Sequence, residues 1–355
     1  MQAVVLRDSH KPLRVESLEM EGPRDDEVLV RVTAAGICRT DIHIIERWDS
    51  TEMPVVLGHE GAGIVEKIGN NVNSVERGDH VLLSYQSCGR CPECRNGQPW
   101  GCSYLYDLNF GFKRLDGSNA LQRSGVRGHF FGQSSWATHS LATERNIVRV
   151  RKELPLDILA PLGCGLQTGA GTIINTLSVK KGASIAVFGT GSVGLAAVMA
   201  ARVVEASPII GVDVNPRRLE LARKLGSTHI INNHLEDAAS RISDITGGGV
   251  DYVLEITGDT AMLRLAIDVL NPHGTLALFA GERESVTLSG DRKAVSVVEG
   301  SSIPQIFIPK LIEYYKAGLF PFDVIITFYD FSEINQAIAD AKCGDTIKPV
   351  LRIGK

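Results

Sequence analysis

The sequence predicts an α/β protein in two parts, a β-rich segment followed by a doubly wound parallel sheet. Its 355 residues suit about two domains of ~150 residues each. Up to about residue 150, short apolar runs alternate with Gly, Pro, Asn and Asp, the punctuation of strands joined by turns. After about residue 165, strand-like runs alternate with longer helical patterns, which implies parallel strands joined by crossover helices.

Taken in order, strands are expected at 3–6, 28–32, 63–68, 80–83, 136–139 and 147–150. Residues 102–133 are irregular and rich in Gly, Asn, Arg and aromatics. They are too long for a plain connection and are expected to form a functional loop or lobe. In the second part, strands are expected at 184–188, 209–212, 229–231, 250–255 and 275–279. Helices fall at 193–206, 217–225, 235–245 and 261–270, the second carrying Leu219, Ala222 and Leu225 on one face. Residues 293–298 suit an edge strand. Helices near 305–317 and 332–341 and a closing strand at 348–353 suggest that the chain returns to the first part. The expected division is therefore 1–165 with a lobe at 86–105, then 166–298, then the return at 299–355.

The formal net charge of −4 leaves no electrostatic footprint for nucleic acid or an anionic membrane. The N-terminus lacks a charged region followed by an apolar one, and no apolar stretch reaches the ~20 residues of a membrane span. Seven cysteines in a chain of this size suit thiolate metal sites in a reducing compartment, so a cytoplasmic protein is expected.

Cys88, Cys91, Cys94 and Cys102 are the densest chemical signal. Two-residue spacers let neighbouring thiolates converge on one tetrahedral Zn²⁺. The intervening Gly89, Arg90, Pro92, Glu93, Arg95, Asn96 and Gly97 make a polar loop, which disfavours packed, inert thiols. With all four positions supplied by protein, such a zinc is structural. Further on, Gly189-Thr190-Gly191-Ser192-Val193-Gly194 lies between an expected strand and an expected helix, the context in which GxGxxG binds a dinucleotide. Its glycines permit a tight turn and close approach to a pyrophosphate at a helix N-terminus. Asp213 ends the next strand, where an acid accepts from ribose hydroxyls and repels a 2′-phosphate; this favours NAD over NADP. Arg217 and Arg218 stand close to it.

Three other segments carry separated ligand candidates: Gly36-Ile37-Cys38-Arg39-Thr40-Asp41-Ile42-His43, Gly58-His59-Glu60-Gly61-Ala62-Gly63 and Pro161-Leu162-Gly163-Cys164-Gly165. Two Cys and one His beside a dinucleotide fold make a catalytic zinc set with one position open. Here the chain resembles the zinc-dependent medium-chain alcohol dehydrogenases. Gly58-His59-Glu60-x2-Gly63-x5-Gly69-x2-Val72 meets that family's zinc signature, the four-cysteine loop occupies the place of its structural zinc lobe, and the order of segments is the family's. The tail, with Phe320-Pro321-Phe322-Asp323, Asn335-Gln336-Ala337 and Lys348-Pro349-Val350-Leu351-Arg352-Ile353, looks most like the aryl (benzyl) alcohol dehydrogenase branch.

The resemblance implies a GroES-like catalytic domain and a Rossmann coenzyme domain, with two zinc ions and NAD. It implies Cys38, His59 and Cys164 as catalytic zinc ligands, Glu60 as the acid beside the metal, and Asp41 as the carboxylate holding the His59 ring. Thr40 and His43 match a proton relay. Arg39 and Arg352 match basic contacts to the pyrophosphate, and Thr168 and Arg218 join the expected coenzyme set with Gly189, Gly191, Ser192, Val193, Gly194 and Asp213. Glu60 can also be read as the structural partner of a nearby Arg. The implied reaction is hydride transfer between NAD and a primary alcohol/aldehyde pair, aromatic or allylic, with Trp48, Tyr85, Phe110 and Phe130 as pocket candidates. Polyol or terpenoid alcohols remain alternatives, and a zinc-module binding protein is the reading from another class. A homodimer or homotetramer paired through the edge strand is expected.

Overall fold

The structure, a computed structural model, describes residues 1–47, 54–279 and 287–354. Trp48 lies outside the described residues. The chain divides into two compact units, one of Met1–Cys164, Ile303–Pro309 and Asp323–Lys355, the other of Gly165–Ser302 and Lys310–Phe322. The return expected for 299–355 is thus interrupted, because Tyr315 and Phe320 pack on Phe322 with ring centroids 4.7 and 5.9 Å apart and keep that stretch with the second unit.

The first unit begins with β1 (Gln2–Leu6), β2 (Arg14–Ser17), β3 (Glu27–Gly36), α1 (Arg39–Arg47), β4 (Val55–Val56), β5 (Glu60–Ile68) and β6 (His80–Leu83). It continues through α2 (Pro92–Arg95), α3 (Leu105–Phe110), β7 (His139–Thr143), β8 (Ile147–Val150) and α4 (Leu156–Leu159). Strand β3 is buried along most of its length because it is paired on both sides, to β5 and to β7. At its far end Ala34, Ala35 and Gly36 face Ala62, Gly61 and Glu60. Small residues are required there: a Cβ on Gly63 would lie 2.2 Å from the Arg31 carbonyl oxygen. This register brings the end of β3 and the start of β5 together, and both carry on into candidate ligands.

The strand expected at 136–139 forms instead at His139–Thr143. Trp136 is fully buried and its backbone N–H donates to the Leu57 carbonyl, so it serves the core and not a ladder. The 102–133 segment holds α3 and otherwise few ladder bonds. Side chains supply its missing partners: the Asn109 amide donates to Gln86 and Leu105 carbonyls, Asn119 donates to Phe112 O at 2.7 Å, and Arg114 Nε donates to Glu27 at 2.6 Å.

The second unit runs through α5 (Gly165–Gly171), β9 (Ile185–Phe188), α6 (Ser192–Val203), β10 (Ile209–Asp213), α7 (Pro216–Leu225), β11 (His229–Asn232) and α8 (Ala238–Thr246). After it come β12 (Val250–Glu255), α9 (Thr260–Asp268), β13 (Leu270–Phe279) and β14 (Lys293–Val297), and then the part of α10 (Pro304–Lys316) from Lys310 on, its first residues belonging to the first unit. Its sheet has the order β11-β10-β9-β12-β13-β14 with parallel pairing, so β14 lies at an edge. Strand β9 is wholly buried, as a central strand covered on both faces must be. Helix α8 starts three residues later than the apolar pattern suggested, because the Asp237 side chain caps it by accepting from Ala239 N at 3.1 Å; Leu235 is left outside and exposed. The C-terminal β15 (Ile326–Asp330), α11 (Ile334–Cys343) and β16 (Lys348–Arg352) return to the first unit, where β16 pairs antiparallel with β3.

His129 is buried in the 102–133 segment, and its Nε2 accepts from Ala120 N at 3.2 Å, which requires the neutral ring. Burial, then the neighbouring Arg114, pushes its pKa down to about 4. An unfolded histidine protonates near ~6.5, so its contribution is intact above that pH and is lost as pH falls through the folded value. Urea midpoints of wild type should therefore decline between these two pH values. His129→Asn should flatten that decline, and parallel profiles would show that another group is responsible.

Candidate active site

Cys38 stands between β3 and α1, His59 directly before β5, and Cys164 directly after the 3₁₀ turn Ala160–Gly163. Gly58, at φ 91°, makes the bend that turns His59 inward, and a Cβ there would lie 2.4 Å from Trp136. The Cys164 segment is anchored by Ser84 Oγ, which donates to Gly163 O at 2.7 Å. As a result, ligand atoms of Cys38, His59, Glu60 and Cys164 all lie within 4.8 Å of one another.

Asp41 organises this group. One carboxylate oxygen accepts from Cys38 N at 2.9 Å; the other accepts from Gly58 N at 3.1 Å and contacts His59 Nδ1 at 3.0 Å. With Nδ1–H given to Asp41, His59 Nε2 is a buried nitrogen with no hydrogen-bond partner. Burial alone would lower the His59 pKa, yet Asp41 and Cys38 carry it well above the ordinary value, so the pocket attracts positive charge at that ring. Cys38 is held well below a normal thiol, first by its hydrogen bond with Cys164, then by His59 and Lys348 against burial. One orphaned imidazole nitrogen beside two thiols is a donor set that fits Zn²⁺ with a fourth position open.

Glu60 takes the alternative reading in part. Its carboxylate lies in the ligand group and is held by Lys348: Nζ is 2.8 and 3.0 Å from its two oxygens and also donates to Ile37 O at 3.2 Å. Both side chains are essentially sealed from solvent, at 0 and 1% exposure. Although burial opposes it, Glu60 and then Cys38 keep the Lys348 pKa above its usual value. Sequence reasoning missed Lys348, since nothing local marks a lysine 288 residues from its partner. Gly36 makes the space, because a Cβ there would lie 2.0 Å from Glu60 Oε2. Arg352, expected at a pyrophosphate, donates from Nε to Asp157 at 2.8 Å and stacks 3.8 Å over Phe328. Arg39 is mostly exposed and 4.0 Å from Glu46. Thr40 Oγ1 is 3.8 Å from Cys38 Sγ, and His43 lies one helical turn on and is exposed, its pKa lowered by partial desolvation and then by Arg39 and Arg47.

The four-cysteine loop closes on itself. Its ligand atoms also lie within 4.8 Å of one another, and all seven cysteines of the chain are free thiols. Cys88–Cys94 and Cys91–Cys102 sulfur separations are 4.0 and 3.9 Å. Tetrahedral sulfurs ~2.3 Å from zinc would be about 3.8 Å apart, so the geometry fits that ion. Backbone N–H groups of Cys91 and Arg90 point at Cys88 Sγ, and those of Cys88 and Tyr104 at Cys102 Sγ, as suits thiolates.

In the second unit, Gly189 at φ 95° turns the chain from β9 towards α6. Gly194 packs so tightly that a Cβ would lie 1.9 Å from Gly189 O, whereas Gly191 has open space around it. That is the division of labour a pyrophosphate turn needs. Ser192 and Val193 open α6. Asp213 braces the turn by accepting from Thr190 N at 2.7 Å and Thr190 Oγ1 at 2.9 Å. The Arg218 backbone N–H donates to the Asn215 cap at 3.3 Å, and its Nε is buried without a hydrogen-bond partner. Thr168 Oγ1 donates to Glu299 at 3.3 Å.

Of the aromatic candidates, Tyr85 is core. Phe110 and Phe130 join a cluster around His59, together with Phe131, which sequence reasoning missed. Phe131 stacks on His59 at 4.4 Å and 24°, with Phe110 5.1 Å and Phe130 4.9 Å from it. The adjacent Phe130-Phe131 pair was the available signal, but only the left-handed backbone at Phe131 (φ 52°) aims its ring.

Residues 24–152 match the alcohol dehydrogenase GroES-like domain, and residues 192–316 match the zinc-binding dehydrogenase family. The chain is 41% identical to geraniol dehydrogenase of Castellaniella defragrans over 362 residues, covering 99% of this chain and 97% of that protein. Its fold matches the crystal structure of an alcohol dehydrogenase zinc-binding domain protein from Burkholderia ambifaria, with a TM-score of 0.96, 45% identity and 100 and 99% of the two chains covered. Benzyl alcohol dehydrogenase from Acinetobacter calcoaceticus matches with a TM-score of 0.95 and 43% identity over 99% of each chain.

Two outcomes are expected of the site. Cys94→Ala should lower the melting temperature and the zinc content, whereas Cys164→Ala should keep the fold and lose turnover; the reverse pattern would exchange the roles of the two centres. Lys348→Met removes the ion pair of the buried Glu60 and should cost roughly 3–5 kcal/mol in urea unfolding. Adding Glu60→Gln should recover much of that loss, and full additivity would mean that the pair is not coupled.

Proposed function

The chain belongs to the zinc-binding alcohol dehydrogenases, and from that membership we propose that it interconverts aromatic or allylic primary alcohols and their aldehydes with NAD. The observation that carries the substrate class is the Phe131 ring stacked on His59 with Phe110 and Phe130 beside it. Flat, apolar groups next to an alcohol carbon suit such walls, since aromatic contacts add to the burial of apolar area. The similarity to a geraniol dehydrogenase and to a benzyl alcohol dehydrogenase supports the same class.

Cys38, His59 and Cys164 would hold the catalytic ion, and Cys88, Cys91, Cys94 and Cys102 a structural one. Bound zinc supplies Lewis acidity at an alcohol oxygen. Asp41 fixes the tautomer and direction of His59. Thr40 Oγ1, close to Cys38, and His43 one turn along α1 offer a departing proton a path outward, and a lowered pKa leaves His43 neutral and able to accept it at pH 7. Gly189, Gly191 and Gly194 would admit the pyrophosphate of NAD at the start of α6, and Asp213 would discriminate against a 2′-phosphate.

A homo-oligomer paired through the edge strand β14 suits this reading, because pairing protects an exposed edge. No described helix is long and apolar enough to cross a membrane. Two clusters of free thiols suit a reducing cytoplasm.

A steady-state panel of benzyl alcohol, cinnamyl alcohol, geraniol, ethanol and sorbitol, each with NAD and NADP, tests the proposal. Benzyl alcohol, cinnamyl alcohol and geraniol with NAD should give the highest kcat/KM, and Phe131→Ala should lower it about tenfold for benzyl alcohol with little change for ethanol. Preference for sorbitol or for NADP would reject it.

A further inference from the structure

Three consecutive residues after β14 take positive φ: Glu299 at 49°, Gly300 at 61° and Ser301 at 49°. Two of them carry side chains, and such residues persist only where the surroundings over-determine them, often at functional sites. Here the surroundings are explicit. Gly300 lies against the backbone of α5, where a Cβ would meet Thr168 O at 2.7 Å and Gly171 Cα at 2.8 Å. Asn175 Nδ2 donates to Gly300 O at 3.3 Å and to Ser302 Oγ at 3.2 Å, and Thr176 Oγ1 donates to Ser301 Oγ at 2.9 Å. The turn so pinned presents the Glu299 carboxylate to α5, where Gln167 Nε2 at 3.2 Å and Thr168 Oγ1 at 3.3 Å both donate to Oε2.

The position of this carboxylate in the sheet gives it a meaning. Strand order reverses between β9 and β12, and dinucleotides lie beyond the carboxyl ends of the strands at such a point. The glycine turn follows β9 and Asp213 ends β10, which puts the pyrophosphate and adenosine on that half of the sheet. The nicotinamide half then belongs to the side of β12, β13 and β14, and Glu299 is two residues past the end of β14 at Val297.

We infer that Glu299 is a specificity-determining residue for the oxidation state of the coenzyme, its carboxylate favouring the positively charged nicotinamide of NAD⁺ over the neutral ring of NADH. The inference rests on the reading of the second unit as an NAD site. Reduction by hydride removes one positive charge from the ring, so a fixed anion nearby binds the two forms unequally. It holds NAD⁺ before turnover and loses its hold on the product, which assists the exchange of NADH.

Dissociation constants of NAD⁺, by calorimetry, and of NADH, by its fluorescence, would be measured for the full-length wild type, Glu299→Gln and Glu299→Asp. Gln keeps an acceptor for Gln167 and Thr168 but removes the charge, so NAD⁺ should weaken about tenfold while NADH shifts by less than about twofold. Asp keeps the charge and should retain most of the preference for NAD⁺. Equal weakening of both forms, or no change in either, would overturn the inference and leave Glu299 as a structural pin. A wild type that binds neither form would overturn the NAD reading itself, and this inference with it.

Discussion

The Asp41 carboxylate is completely buried, and a lone anion in that position would be expelled or protonated. It survives because two backbone N–H groups and an imidazole converge on it: Cys38 N, Gly58 N and His59 Nδ1. Charge-assisted bonds of this kind are among the strongest a protein makes. Their effect is architectural as well as energetic. They lock the end of β3 to the bend before β5, and in doing so they set which nitrogen of His59 is left bare. The lowered thiol of Cys38 draws on that lock in part, since His59 is among the groups that lower it.

Beneath it lies the pairing of β3 with β5. Small residues on both strands let the backbones approach, and the antiparallel register places Gly36 opposite Glu60. The absence of a side chain at Gly36 admits the Glu60 carboxylate, which then needs a cation, and Lys348 arrives on β16 from the last residues of the chain. A buried pair of this sort adds little net stability against an apolar substitute, but losing one member is severe. The C-terminal segment is thereby bound to the integrity of the candidate ligand group.

The parts of this site differ in how far they were legible from sequence, and the difference follows distance along the chain. Cys88, Cys91, Cys94 and Cys102 lie within one short loop, so spacing alone implied convergence, and the sulfur separations agree with one ion. The glycine turn was legible for the same reason, since strand, turn and helix are contiguous. Cys38, His59 and Cys164 come from three remote segments, and no spacing rule joined them; their residue types beside a dinucleotide fold suggested a set, and the resemblance assigned the roles. The start of α8 at the Asp237 cap was missed although aspartate is a favoured cap, because the apolar pattern ran on past the cap and masked it, whereas α9, capped by Asp259, starts within one residue of its expected position. Trp136 misled the strand reading in a similar way, its bulk serving the core and not the ladder.

By itself the sequence determined the fold class, the convergence of the four-cysteine loop and the strand–glycine turn–helix, because each depends on local spacing or on a pattern of apolar residues. The tertiary structure decided which cation neutralises Glu60, which aromatic ring covers His59, and where the Arg352 guanidinium is spent. It also decided that Glu299 meets α5. These outcomes rest on backbone direction and on pairs of residues far apart in the chain, and no local signal encodes them. Burial makes them unavoidable: a charge or a ring placed in the interior must find a partner there, and only the folded chain determines which one is within reach.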